Sequence, residues 1–176
     1  MTYKIELDSD YRKNLSVFLI KDVQNAAEIK EMVVKGTLDC CVIKPTLIIH
    51  PFQIAVAANK AVISKMQDKM TTKTLHTEIL YNLSTSRNIT QSLMKFGVGE
   101  SDKNMLVGVI EESGEDRTDN VLSHFKGIIS PIEELPKFSD TALIKKTYKI
   151  KDSELAVSTL TDSVVTRIAT RDFTSV

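Results

Sequence analysis

Apolar and polar positions change period several times along this chain, and each change marks a predicted element. Tyr3 to Leu7 alternates apolar with polar, and Leu15 to Ile20 is a short apolar run rich in branched and aromatic side chains; both predict strands. Asn25 opens a helix with Ala26, Ile29, Met32 and Val33 on its apolar positions and Gly36 just past its end as a stop. Thr46 to Ile49 reads as extended. Pro51 then stands at a first helical position, where its missing N–H costs nothing.

From Phe52 to Lys69 the period is helical. At 100° per residue, Phe52, Ala55, Val56, Ile63 and Met66 share one face, and Ile54, Ala58 and Ala61 cover much of the back. Only Gln53, Lys60, Ser64 and Gln67 are left as a polar strip, so this helix is expected to be central. His50 stands at its cap, where a neutral imidazole caps less well than a carboxylate. Thr74 to Ser84 predicts another helix. Asn88 caps a third, with Gln91 placed to complete a capping box, Ile89, Leu93 and Phe96 on its core face, and Gly97 at its stop.

Met105 to Ile110 predicts a strand, and Glu111 to Asn120, acidic and interrupted by glycine, an exposed loop. A helix over Val121 to Lys126, a short strand over Ile128 to Ser130, a helix from a Ser139 cap to Tyr148, and a last helix from Asp152 or Ser153 to Arg171 complete the chain. Strands scattered among helices without regular βαβ alternation predict an α+β fold. The expected form is one domain over residues 1–176, a small antiparallel or mixed sheet with helices packed on a face, a helix-rich middle and a C-terminal helix.

The 176 residues match the size of one domain, and 42% hydrophobic with 26% charged residues is an ordinary balance for a folded chain with no membrane span. The N-terminus runs into alternating sequence in place of a signal-like apolar stretch. The only cysteines, Cys40 and Cys41, are neighbours and cannot build a disulfide framework. Cytoplasm and nucleus are the expected locations.

No catalytic constellation is present. The glycines are dispersed, the three histidines lack partners at metal spacing, and neither a metal nor a cofactor is implied. Cys41 is the one nucleophile an enzyme could use, and it lies in apolar sequence. Charge is distributed unevenly instead. The 23 basic and 23 acidic residues cancel overall. Yet Lys60, Lys65, Lys69, Lys73, Arg87 and Lys95 face only Asp68 and Glu78 in their stretch, whereas Glu100 to Asp140 is strongly acidic. Such segregation fits a polyanion on one face, and solubilising lysines are the plain alternative. Arg87 and Asn88 lie at a helix start, where free N–H groups favour phosphate.

Asn59 falls within the apolar stripe of the central helix, so its amide needs partners; tying a loop's backbone to the helix is the expected role, and facing a ligand the alternative. On the last helix Val157, Leu160, Val164 and Ile168 form one stripe opposite Thr159, Ser163, Thr166 and Thr170. Such a stripe suits the chain's own core or a partner protein, and periodicity does not separate the two.

The segment His50-Pro-Phe-Gln-Ile-Ala-Val-Ala-Ala-Asn-Lys-Ala61 closely resembles the signature of the TPRKB (PRPK-binding protein) family, accessory subunits of the KEOPS or EKC complex. Phe18 to Ala26, Lys69 to Ile79, Asn82 to Ser84, Asn88-Ile89, Lys95 to Gly97 and Ile144 to Lys149 agree with the family in the same order along nearly the whole chain. The resemblance implies a non-catalytic subunit that docks on the N-lobe of a PRPK-type atypical kinase or ATPase. Through it the subunit reaches the threonylcarbamoyl transferase, and it helps capture the 3′ CCA end of tRNA for threonylcarbamoyladenosine modification.

On this reading Lys60, Lys73 and Arg87 hold phosphates with Asn88 assisting, Asn59 supports the groove, and Tyr81 is the one aromatic near enough to stack. Leu160, Val164 and Ile168 are the expected kinase anchors, with the helix from Asn25 beside them. A protein-only adaptor without RNA contact is the alternative.

Overall fold

The structure, a computed structural model, describes residues 2–174. Strand β1 (Tyr3–Glu6) leads through a single 3-10 turn into β2 (Lys13–Lys21), the nine-residue spine of the sheet. Helix α1 (Ala26–Lys35) ends at Gly36, whose φ of 69° is the left-handed conformation that glycine adopts without strain. Strand β3 (Cys41–Ile43) follows. A 3-10 turn over Pro45–Leu47 then replaces the expected extended stretch.

Next come α2 (Pro51–Met66), α3 (Leu75–Leu83), α4 (Ile89–Phe96), β4 (Met105–Glu112), α5 (Thr118–Leu122), β5 (Ile128–Ser130), α6 (Thr141–Thr147), α7 (Asp152–Leu155) and α8 (Leu160–Thr170). The fold is α+β. Gly97 ends α4 for reasons of space: a Cβ there would lie 2.5 Å from the Leu93 carbonyl oxygen.

Every pairing in the sheet is antiparallel. The order is β1-β2-β4-β3, and β5 pairs with the far end of β2, beyond β1. Successive side chains of a strand point to opposite faces, so Leu15, Val17 and Leu19 enter one core while Phe18 and Ile20 enter another. The first core is roofed by α2, α3, α4, α6 and α8, and the second by α1 and α5. Helices therefore cover both faces of the sheet, not one. A strand buried on both sides reads as an unbroken apolar run, which is why Leu15 to Ile20 lacks alternation.

Three segments differ from expectation in ways that bear on function. Helix α2 turns Gln53, Ile54, Ala55, Ala57, Ala58, Ala61 and Val62 inward and leaves Phe52 and Met66 exposed, so the face read as polar is partly core. The predicted terminal helix is broken at residues 156–158, where Thr159 restarts it by accepting from the Asp162 N–H at 3.1 Å. Between Glu111 and Asn120, the expected exposed loop is shorter. Glu111 is buried, its carboxylate accepting from the Arg117 N–H and the Thr118 hydroxyl.

Candidate functional site

The small side chains of α2, Ala55, Ala57, Ala58 and Ala61, are all buried and let neighbouring helices approach closely. Helices α3 and α8 pack against α2 as a result, and their C-terminal ends meet beside Lys60. The Lys60 ammonium donates to the Ile168 carbonyl at 2.8 Å and pairs with the Asp172 carboxylate at 2.9 Å. Its aliphatic stem is covered while the charge reaches the rim.

Arg171 follows directly after α8 and is buried. Its guanidinium donates to the carbonyls of Tyr81 and Ser84, closing the open end of α3, and lies 4.1 Å from the centre of the Tyr81 ring. Its Nε faces Asp172 at 3.7 Å. Burial alone would raise the Asp172 carboxyl. The hydrogen bond and charge of Lys60, with the charges of Arg171 and Arg87 added, outweigh that and hold it below its ordinary value. Lys60 and Arg171 thus converge on one carboxylate, which also feels the charge of Arg87.

Beside this cluster lies a cleft of about 260 Å³ lined by Thr85, Tyr148, Lys149, Arg167, Thr170, Arg171 and Thr174. Arg167 grips Glu154 with two parallel bonds of 2.6 and 2.7 Å, tying α7 to α8. That bond, with one from Ser163, holds the Glu154 carboxyl down at about 2. Phe173, on the same terminal turn as Asp172, is 88% exposed. Tyr81, the aromatic expected to stack, is buried beneath Arg171 and offers no free face.

Lys73 stands apart from these residues. It precedes the N-terminus of α3, whereas Arg87 and Asn88 follow its C-terminus, and nine helical residues separate the two ends by roughly 13 Å. Lys73 lines a different groove of about 390 Å³, with Lys65, Cys40, Cys41 and His76. Its loop is fixed by the buried Glu78, which accepts from the Thr71 N–H at 3.0 Å, the Thr72 N–H at 2.7 Å and the Thr72 hydroxyl at 2.6 Å.

Asn88 caps α4 by accepting from the Gln91 N–H at 3.0 Å. The box is not reciprocal: Ser86 takes the Asn88 N–H, and Gln91 turns to Ser86. The Asn59 carbonyl oxygen accepts from the Asp8 N–H at 2.7 Å, which pins the turn after β1 to α2. Asn59 is therefore a loop tie, and its amide supports the β1–β2 connection.

Neither thiol is fit to be a nucleophile. Burial pushes Cys40 up to about 12 and Cys41 well above its ordinary value, and the Cys41 thiol donates weakly to the His76 carbonyl at 3.6 Å. Burial, then the charge of Lys65, hold His76 down to about 4. Its 3.4 Å approach to Asp39 is thus no ion pair at neutral pH. Among the described residues no three His, Cys, Asp or Glu side chains gather as a metal site, and no helix is long and apolar enough to cross a membrane.

The expected kinase anchors need correction. Val164 and Ile168 are fully buried in the core that α8 shares with α2, and Leu160 is half-buried against it. The stripe serves the chain's own packing. Val157, expected on the same stripe, sits in the α7–α8 break and is 90% exposed. Asn25 is also buried: its amide donates to Glu28 and to the His124 carbonyl and accepts from the Lys126 N–H, locking the loop before β5 onto α1.

Arg171, Asp172 and Phe173 were not singled out from the sequence. Their one visible signal is a charged pair and an aromatic placed just past the end of the last apolar stripe.

The family model described as kinase binding protein CGI-121 matches residues 20–172. The chain is 36% identical over 173 residues to the EKC/KEOPS complex subunit TPRKB of Danio rerio, covering 98% of each. It is 29% identical over 146 residues to the EKC/KEOPS complex subunit cgi121 of Schizosaccharomyces pombe, covering 79% of this chain and 83% of that one. To the EKC/KEOPS complex subunit CGI121 of Coccidioides immitis it is 28% identical over 141 residues, covering 76% and 68%.

Proposed function

On the premise that the chain belongs to the CGI-121 family of kinase binding proteins, we propose that it is a non-catalytic subunit of a KEOPS complex. It docks on the N-lobe of a PRPK-type kinase or ATPase and presents the 3′ CCA end of tRNA for threonylcarbamoyladenosine synthesis, in cytoplasm and nucleus. The observation that carries the RNA half is the meeting of Lys60 and Arg171 at the end of α8, within reach of the charge of Arg87 and next to a cleft lined by hydroxyls and cations. Single-stranded nucleic acid is held by charge along the backbone plus stacking of bases. Phe173, exposed on the adjoining turn, supplies the stacking surface that buried Tyr81 does not.

Lys73 lies too far from this cluster to share a phosphate with Lys60, so it serves as a separate contact on the path of the RNA. The kinase half rests on family membership together with the exposed Val157 beside α8. A protein-only adaptor is the second reading, favoured by Lys60 already having two partners within its own chain.

Electrophoretic shift of tRNA with and without its CCA end separates the readings. Wild-type protein is expected to retard the complete tRNA more strongly, and Lys60→Glu with Arg87→Glu to abolish the difference. Equal retardation of both RNAs by all proteins removes RNA capture and leaves the protein-only adaptor.

A further inference from the structure

The two cations that contact Asp172 at the end of α8 are not held in place by it. Lys60 is anchored by the Ile168 carbonyl at 2.8 Å, and Arg171 by the Ser84 carbonyl at 2.8 Å together with that of Tyr81. The charged site therefore persists if the carboxylate leaves. Asp172 is in the opposite position: its side chain is 55% exposed, and rotation about its own bonds carries it into water. An ion pair so open to solvent contributes little to stability. A phosphate offers more acceptor oxygens to the same cations than a carboxylate does.

We propose that the Asp172 carboxylate is an internal counter-anion, which occupies the Lys60–Arg171 site in the free protein and is displaced by a phosphate of the bound nucleic acid. This rests on the reading of Lys60 and Arg87 as phosphate ligands. The carboxylate keeps buried Arg171 and half-buried Lys60 compensated when the site is empty. It also sets a threshold, because a weakly bound anion must first compete with a tethered one. Affinity for nucleic acid is traded for selectivity against dilute small anions.

The test is tRNA binding by Asp172→Asn and Asp172→Ala, measured across a salt series with complete tRNA and with inorganic phosphate as competitor. Both variants are expected to bind tRNA about two- to fivefold more tightly, the worth of one exposed pair. The log–log salt slope should steepen by up to about one, since no displaced carboxylate has to recruit a cation. Inorganic phosphate should compete at lower concentration with the variants than with wild type, whereas Asp172→Glu, which keeps the charge, should behave as wild type.

Unchanged or weaker binding by Asp172→Asn and Asp172→Ala, with melting midpoints near wild type, overturns the proposal. The Lys60→Glu, Arg87→Glu protein tells the two failures apart. If it binds tRNA as wild type does, the RNA surface itself is elsewhere. If it loses binding while the Asp172 variants are neutral, only the displacement fails.

Discussion

The side-chain amide of Gln53 donates to the hydroxyl of Tyr148 at 2.9 Å, 95 residues away in sequence and fully inside the first core. The network around this bond is complete. Gln53 also donates to the Leu47 carbonyl at 2.9 Å and accepts from the Ile49 N–H at 3.1 Å, while the Tyr148 hydroxyl donates to the Leu83 carbonyl at 2.6 Å. One polar cluster thereby joins the turn before α2, the end of α3 and the end of α6. Burial raises the Tyr148 phenol, so it stays protonated and remains a donor.

Gln53→Leu leaves the Ile49 N–H and Leu47 carbonyl without their partner, and is expected to cost about 2–3 kcal/mol in urea unfolding. Tyr148→Phe should cost about 1–2 kcal/mol. Because the two residues share a bond, the double variant should lose less than the sum, and additive losses would show that the pair is not coupled.

Glu78 holds the loop that carries Lys69 and Lys73 through three hydrogen bonds to a buried carboxylate. Gln has one acceptor oxygen in place of two. In Glu78→Gln the Thr71 and Thr72 amides should exchange with solvent at least about tenfold faster, as expected for loss of a charged acceptor. Unaltered exchange would mean that the loop is ordered by its neighbours.

His76 makes folding sensitive to mild acid. Burial, then the charge of Lys65, hold it down to about 4 in the folded chain against an ordinary value of about 6.5, so between those values the unfolded chain binds the extra proton. Stability is whole above about pH 6.5 and is lost as pH falls toward 4, by an amount on the order of 3 kcal/mol. The depressed carboxylates Glu28, Glu112, Glu134 and Glu154 lose their contributions only below their ordinary range. Urea midpoints measured from pH 7 to pH 4.5 should fall for wild type and stay flatter for His76→Gln.

Val164→Asp places a charge in the core and should destabilise the fold by on the order of 3 kcal/mol or more, so loss of kinase copurification by that variant reports unfolding. Val157→Asp is the informative change. At 90% exposure it should alter melting little and still weaken copurification with the kinase. Full copurification would move the docking face away from the α7–α8 turn.

Strong periodicity and local capping made most elements legible: Pro51 starting α2, Thr74 starting α3, Gly36 and Gly97 as stops, and Leu15 to Ile20 as a strand. For helix α2 the pattern gives the position but the wrong rotation. A helix apolar nearly all round carries little phase information, and Gln53 was drawn inward by partners on distant segments. Strand β3, three residues long, was too short to show a period. The break before α8 carries one local signal, Thr159 with Asp162 three residues on, an N-cap hidden inside a longer apolar stripe.

The chain by itself determined the fold class, the family and the uneven placement of its charges. Each of these depends on residue type and on neighbours a few positions away. Only the tertiary structure decided which charges act together. Lys60 and Arg171 meet at Asp172, where the charge of Arg87 is also felt, because small alanines let α3 and α8 close on α2, while Lys73, nearer to Lys60 in sequence than Arg87 is, ends at the other end of α3. The same packing took Val164 and Ile168 out of reach of any partner, since a helical stripe buries against whichever apolar surface lies nearest, and here that surface belongs to its own chain.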